Sequence, residues 1–238
     1  MKIETQKYKS RIEDDGFCIV ENVYSEEEVE KIVAHLDNLD SSKPTFRKSK
    51  DLFAIRQFLN EVPEVKELVF NDALKQIILE VASEKHRTVK SIFFDKPEQS
   101  NWYVAYHQDL TISVDRKLDL EGFGPWTVKQ NQFAVQPPIE ILEDILTVRI
   151  HLDKTTSDNG ALKVIPGSHK KGIYRPESIN WEAEKEVFCS VQKGGVMLMK
   201  PLLLHGSNRT TNSQKRRVIH IEFASKELPQ VLKWSERN

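Results

Sequence analysis

The sequence predicts a mainly β protein in which a helical N-terminal part, about residues 1–88, precedes a β core, about residues 89–225. Apolar residues recur at helical spacing up to about residue 84 and alternate with a period of two after residue 88. Turn residues separate many short strand candidates, which favours an antiparallel sandwich or barrel over a βαβ fold. At 238 residues, a single domain can occupy residues 1–238.

Two helical signals lie in the first part. Ser25 is followed by Glu28, a capping-box pattern at the start of a helix. Residues 60–84 carry the second signal, with a break expected at Pro63. The connector at residues 41–51 is polar and basic and predicts a mobile segment. The apolar stripe of the first helix comprises Val29, Ile32, Val33 and Leu36.

The second part consists of short strand candidates divided by Gly, Asn, Asp and Pro. The longest gap between them, residues 110–140, is rich in aromatic residues and proline. A loop of this length in a compact domain is typical of a functional lid. The candidate strands are VKSIFFD, NWYVAYHQD, ILTVRIHLD, ALKVIP, EVFCSV, GVMLMKPLLLH and RRVIHIEFA.

Composition excludes several function classes. Thirty-five Lys and Arg against 36 Asp and Glu give a net charge of −1, which argues against nucleic acid as the main partner. No apolar run approaches the length of a membrane span, and no targeting segment is expected. Cys18 and Cys189 lie in apolar runs, so buried thiols in a reducing cytoplasm are expected.

A metal-binding pattern ends one predicted strand. His107 and Asp109 are two residues apart, so their side chains share one face. His205 follows an apolar strand candidate and can supply a third ligand. Two imidazoles and one carboxylate form the facial triad of non-haem Fe(II) oxygenases. A His-x-Asp pair alone is weak evidence, because a lone His in a strand is more often a hydrogen-bonded structural residue.

Arg216 lies eleven residues after His205, across a polar turn. A guanidinium binds carboxylate through two parallel hydrogen bonds, although residues 215–217 also fit a solvated basic turn. Strand parity places Arg216 and His220 on the face opposite Ile219 and Ile221. If the apolar face packs on the helices, Arg216 points into the barrel and Arg217 points away.

The strand candidate at residues 145–153 alternates in the same way. Leu146, Val148 and Ile150 share one face, while Thr147 and Arg149 share the other. This polar face fits either solvent exposure or a polar barrel interior that lines a small-molecule site.

At this point the sequence resembles the phytanoyl-CoA dioxygenase family of Fe(II)- and 2-oxoglutarate-dependent oxygenases, which includes ectoine hydroxylase. The resemblance spans about residues 10–225, and the segments NWYVAYHQD, LTVRIHLDKTTSDNGALKVIPGSHKKG and KGGVMLMKPLLLHGSNRTTNSQKRR carry it. It implies a double-stranded β-helix, a cupin-like jelly roll of two four-stranded sheets buttressed by N-terminal α-helices.

The resemblance also implies site residues. Fe(II) is expected on His107, Asp109 and His205. The expected contacts of 2-oxoglutarate are Arg216, Ser207, Gln108, Lys96 and Trp126. His169 is expected to be structural. The residues expected to face the substrate, from their place on the polar strand face or from their aromatic character, are Arg149, Thr147, Phe133 and Trp102.

The expected activity is hydroxylation of an unactivated C–H bond of a small molecule, with O₂ consumed and succinate and CO₂ released. Ascorbate is the expected reductant in vitro, and the chain is expected to be a monomer or homodimer. Two alternatives remain open from the residues. One is a cupin-like metal-dependent isomerase or hydrolase without O₂ chemistry, and the other is a non-catalytic binding protein. An Arg216 clamp argues against the first alternative.

Overall fold

The computed structural model describes residues 2–39, 46–48, 53–97, 102–129 and 132–236. Its α-helices are α1 (Lys2–Asp14), α2 (Glu26–Asp37), α3 (Phe58–Glu61), α4 (Lys66–Val69), α5 (Asp72–Val81) and α6 (Ile139–Asp144). In these segments, every helix is too short or too polar to cross a membrane.

The strands are β1 (Phe17–Val20), β2 (Phe46–Lys48), β3 (Phe53–Arg56), β4 (Arg87–Lys96), β5 (Val104–His107), β6 (Ile112–Val114), β7 (Trp126–Lys129), β8 (Gln132–Val135), β9 (Leu146–His151), β10 (Leu162–Val164), β11 (Val187–Cys189), β12 (Val196–Met199), β13 (His205–Ser207) and β14 (Arg216–Ala224).

Two antiparallel sheets form the jelly roll and confirm the mainly β prediction. The larger has seven strands in the order β1-β12-β9-β14-β4-β3-β2, and the smaller has four in the order β11-β10-β13-β5. The larger sheet exceeds the four strands that the family resemblance implies. Its additional edge strands come from the N-terminal part, where the alternating pattern is too short to be read from sequence.

The helices cover the outer face of the larger sheet. Ser25 Oγ accepts a hydrogen bond from the Glu28 amide at 3.2 Å, and the Ser25 amide donates to the Glu28 carboxylate at 2.7 Å. This confirms the capping box. The apolar stripe of α2 is buried in the same core as Ile219 and Ile221 of β14. Each such burial contributes roughly 1.5–3 kcal/mol.

The N-terminal part also differs from the prediction. The break at Pro63 is present, because a 3₁₀ turn, Pro63–Val65, separates α3 from α4. Helix α1 is almost entirely polar and carries no periodic signal, although Ile12 is buried. Of the predicted mobile connector, residues 46–48 form β2, and the remainder lies outside the described residues.

Residues 110–140 are not the irregular loop that the sequence predicted. They contain β6, β8 and β7, which form a three-stranded antiparallel sheet. Ile112 and Val135 are fully buried, and they share an apolar cluster with Leu232 and Trp234 near the C-terminus. The prediction failed because these strands have three or four residues each, too few to reveal a period. Movement of this region over the site stays a prediction.

Candidate metal centre and cosubstrate pocket

The predicted triad comes together where β5 meets β13. His107 pairs with His205 across these strands, and the Asp109 amide donates to the Pro201 carbonyl at 2.9 Å. The strand prediction for residues 195–205 needs a correction. β12 ends at Met199, a turn follows, and His205 begins β13. Pro201 lacks an amide hydrogen and so cannot continue the strand ladder.

Backbone hydrogen bonds fix the tautomer of each histidine. Nδ1 of His107 lies 2.9 Å from the Ala105 carbonyl oxygen, and Nδ1 of His205 lies 2.8 Å from the Leu203 carbonyl oxygen. A carbonyl only accepts, so each Nδ1 carries the proton. Each Nε2 therefore keeps its lone pair, which is the form that binds metals.

The three ligand atoms are close enough to share one ion. Nε2 of His107 and Nε2 of His205 each lie 3.8 Å from a carboxylate oxygen of Asp109. One ligand atom from each residue lies within 4.8 Å of the other two. Two nitrogens and one oxygen on one side of an ion match the facial triad. The site fits a divalent transition metal.

The electrostatics of the triad also suit a cation. Burial favours the neutral imidazole and lowers the pKa of His205 to about 4. Burial alone would raise the pKa of Asp109, but the neighbouring His205 and Lys90 hold it well below its ordinary value. At neutral pH the site thus presents a neutral imidazole at His205 and an ionised carboxylate at Asp109.

A cavity of about 280 Å³ lies beside the triad, between the two sheets. Arg216 and Ser207 line it and are 4% and 1% exposed. Nη1 of Arg216 donates to the Gly160 carbonyl at 2.6 Å, while Nε of Arg216 and Oγ of Ser207 have no partner among the described residues. Buried donors without acceptors are costly, so this end of the cavity fits an added carboxylate.

The adjacent arginine faces the other way, as strand parity predicted. Arg217 donates to the Asp153 carboxylate from Nε at 2.9 Å and from Nη2 at 2.8 Å. It does not line the cavity. The guanidinium of Arg217 is therefore already occupied by a protein carboxylate, whereas Nε of Arg216 is available to a ligand.

Three of the predicted cosubstrate residues are not brought into this cavity. The side-chain amide of Gln108 donates to the Gly172 and Leu202 carbonyls and accepts from the Tyr174 amide, so it holds loops together. Lys96 pairs with Arg216 across β4 and β14 and donates to the Asn208 carbonyl at 2.9 Å. Trp126 packs in the apolar cluster of the three-stranded sheet.

The predicted substrate residues are divided between two cavities. Trp102 and Arg149 line the cavity of the triad. Phe133 lines a second cavity of about 260 Å³, and Arg56, Lys90 and Ile92 line both. Thr147 is fully buried and lines neither cavity, and its hydroxyl has no hydrogen-bond partner in the described segments.

A buried polar chain behind Asp109 was not assigned from sequence. Lys90 forms a 2.7 Å ion pair with Glu222, and Nε2 of His220 lies 3.1 Å from the same Glu222 oxygen. Although burial opposes ionisation, this pairing raises the pKa of Lys90 and lowers that of Glu222. Strand parity already placed His220 on the same face as Arg216. Lys90, on a different strand, required the β4–β14 pairing to be known.

The jelly roll, the triad and the buried arginine together define the site of a metal-dependent oxygenase. Residues 12–218 match the family model "Phytanoyl-CoA dioxygenase (PhyH)". The chain therefore belongs to the phytanoyl-CoA dioxygenase family and to the dioxygenase class of enzymes.

Curated relatives cover most of the chain. It is 22% identical to the phytanoyl-CoA dioxygenase domain-containing protein 1 homolog of Caenorhabditis elegans, over 97% of this chain and 93% of that protein. It is 25% identical to a probable alpha-ketoglutarate-dependent hypophosphite dioxygenase of Stutzerimonas stutzeri, over 89% of this chain and 76% of that protein.

Solved structures share the fold. EctD from S. alaskensis gives a TM-score of 0.72 at 18% identity, over 97% of this chain and 85% of that chain. The epimerase SnoN from nogalamycin biosynthesis gives 0.70 at 15% identity, over 94% and 83%. HygX from Streptomyces hygroscopicus, with nickel, 2-oxoglutarate and hygromycin B bound, gives 0.67 at 17% identity, over 94% and 89%.

Proposed function

We propose that this protein is an Fe(II)- and 2-oxoglutarate-dependent dioxygenase that hydroxylates a C–H bond of a small molecule and releases succinate and CO₂. The observation that carries the proposal is the set of His107, Asp109 and His205, whose ligand atoms meet while each histidine Nδ1 donates to a backbone carbonyl. Fe(II) held there would supply the activation of O₂ and the oxidation of the C–H bond.

The chain's own residues would supply binding and orientation. Arg216 and Ser207 hold unpartnered donors at one end of the cavity and would bind the distal carboxylate of 2-oxoglutarate. The His107 side chain is 42% exposed and that of His205 is 5% exposed. Solvent therefore reaches the site on the His107 side, where a small-molecule substrate would enter.

Arg216 supports O₂-dependent chemistry over a cupin-like isomerase or hydrolase, because a cosubstrate clamp has no role in chemistry without O₂. Asp109 completes the ligand set for the metal that would activate O₂. The two buried free thiols, Cys18 and Cys189, support a reducing cytoplasm as the location. One apolar core contains residues from the helices and from the larger sheet, which supports a single domain.

The test is succinate formation from 2-oxoglutarate by purified protein supplied with Fe(II), ascorbate and O₂. We expect the parent protein to form succinate slowly without substrate. His205→Ala should lose both succinate formation and tight iron binding. The affinity loss should exceed about 100-fold, because even residues that merely orient a metal ligand are worth 10–100-fold. His169→Ala is the matched control, since its Nε2 lies by the Glu13 carbonyl, away from the triad. Unchanged iron binding in His205→Ala would refute the site.

A further inference from the structure

Arg149 is a buried guanidinium that forms no ion pair with a carboxylate among the described residues. It extends from β9, is 7% exposed and lines the cavity of the triad. Nη1 lies 3.1 Å from Nδ1 of His220, and Nε has no partner among the described residues. Burial lowers its pKa to about 10, so it stays charged at neutral pH.

If the proposed function is correct, each carboxylate near Arg149 is already paired with another cation. Glu222 pairs with Lys90 at 2.7 Å. Asp109, the carboxylate whose charge acts on Arg149, would bind the metal together with one end of 2-oxoglutarate. The distal carboxylate would pair with Arg216. One positive charge at Arg149 then remains buried without a counterion, which is unfavourable unless an anion is added.

The location of Arg149 separates it from the distal end of the cosubstrate. It pairs with His220 across β9 and β14, four positions along the strand from Arg216. At 3.3 Å per residue this separation is roughly 13 Å between backbones. An oxygen of Asp109 and a ring nitrogen of His220 lie within 4.8 Å of each other. Arg149 is therefore at the metal end of the cavity, where a substrate must approach.

The lining of the second cavity indicates which side chains the remainder of an anion bound at Arg149 would contact. It shares a wall with the first, formed by Arg56, Lys90 and Ile92. Its lining combines uncharged hydrogen-bonding side chains with the apolar Ile92, Val114 and Phe133, which suits a molecule with a hydrogen-bonding body. The uncharged hydrogen-bonding residues are Gln57, Ser91, Thr111, Ser113, Thr127, Gln132 and Ser235.

We propose that the substrate is a small polar oxyanion whose carboxylate or phosphoryl group is bound by Arg149 next to the metal. Its hydrogen-bonding body extends along the shared wall into the second cavity. This inference rests on the proposed function and narrows its substrate class. Arg149 would be a binding residue of the substrate, distinct from the cosubstrate residue Arg216.

Calorimetric titration of protein loaded with Ni(II) and saturating 2-oxoglutarate tests the proposal without turnover. The probes are acetate, methylphosphonate and the neutral acetamide. We expect saturable binding of acetate or methylphosphonate, with the tighter one identifying the carboxylate or phosphoryl class, and no binding of acetamide. Arg149→Gln should weaken anion binding by roughly 10- to 100-fold, as expected for a charged hydrogen-bond donor. Arg217→Gln, whose parent side chain faces Asp153, should bind as the parent does.

Arg149→Lys keeps the charge but loses the bidentate hydrogen-bond donor, so it should bind the anion several-fold more weakly. This variant provides the test if Arg149→Gln does not fold. The proposal is wrong if neither anion binds the parent, or if the Arg149 variants bind it unchanged. It is also wrong if acetate displaces 2-oxoglutarate, or if Arg149→Gln weakens 2-oxoglutarate as strongly as Arg216→Gln. Failure of the parent to bind Ni(II) and 2-oxoglutarate would instead refute the proposed function.

Discussion

The two faces of β9 and β14, in the seven-stranded sheet, are both buried but contain opposite chemistry. The outer face carries side chains such as Ile150 and Ile221, which are fully buried against the helices. The inner face of the same strands carries Arg149, Arg216 and His220, which are 7%, 4% and 5% exposed. Adjacent residues of one strand therefore experience an apolar core on one side and a charged cavity on the other.

Because of this difference, the outer face of each strand contributes to stability and the inner face to ligand binding. Burial of an isoleucine is favourable by itself, whereas burial of a guanidinium is unfavourable unless it is paired. Apolar side chains on the outer face need no hydrogen-bond partners. On the inner face, polar atoms of Arg149, Arg216 and Ser207 have no such partner among the described residues. We infer that the inner face is incomplete without its ligands, and the following changes test this.

The largest effect is expected at the cosubstrate clamp. Arg216→Ala should raise the 2-oxoglutarate concentration required for half-saturation by roughly two to three decades, because a broken buried ion pair costs about 3–5 kcal/mol. Arg217→Ala should change it far less, since Arg217 pairs with Asp153 on the other side. Titration of both variants with 2-oxoglutarate measures this contrast, and equal losses would disprove the separation of the two faces.

Next in size is a truncation on the outer face. Ile221→Ala should lower the free energy of unfolding by about 2–5 kcal/mol through lost burial and a cavity. Urea denaturation measures the loss. The folded variant should bind Ni(II) and 2-oxoglutarate with the parent affinity, because Ile221 points away from the cavity. A large loss of cosubstrate affinity at unchanged stability would contradict the division.

A pH effect is expected at Glu236, which lines the second cavity and accepts a hydrogen bond from the Ser91 amide at 2.8 Å. Burial raises the pKa of Glu236 from 4.5 to about 7. A raised pKa means that the folded state holds the proton more tightly, so this stabilisation is present below about pH 4.5 and is lost as the pH rises through 7.

The loss amounts to at most about 3 kcal/mol between pH 5 and 8. Glu236→Gln should flatten this part of the stability profile, measured by urea denaturation at each pH. An identical slope in the parent and the variant would show that Glu236 does not titrate in this way.

The smallest effect is expected at Thr147. It is fully buried on the inner face, and no described residue forms a hydrogen bond with its hydroxyl. Thr147→Val should stabilise the protein without ligands by about 1 kcal/mol, because an unsatisfied buried hydroxyl is removed. Thermal unfolding measures the change. Destabilisation of similar size would mean that the hydroxyl makes a favourable interaction that the valine cannot replace.

Much of the site could be predicted from sequence because it depends on strand parity. The alternation from Arg216 to Phe223 follows from the two-residue period of a strand, and the structure places these side chains accordingly. Asp109 lies two residues beyond the end of β5, and its amide is held by the Pro201 carbonyl. Helix α2 was predictable for a similar reason, since its capping box and apolar stripe are local signals.

The rest was decided by tertiary contacts. Gln108 lies between two triad residues in sequence, yet its amide bonds to the backbones of Gly172, Leu202 and Tyr174. The three-stranded sheet at residues 112–135 exists because its short strands pack on Leu232 and Trp234.

By itself the sequence determined the alternating faces and the orientation of Arg216, because these properties repeat with the local period of the backbone. His205 was reached through the family resemblance, since it begins β13 after a turn that follows β12. The tertiary structure decided that Lys90, Glu222 and His220 form one chain behind Asp109. It also decided that, within the described part of the chain, Arg149 forms no ion pair with a carboxylate. Those facts depend on which strands are neighbours, and strand order is set by packing between segments distant in sequence.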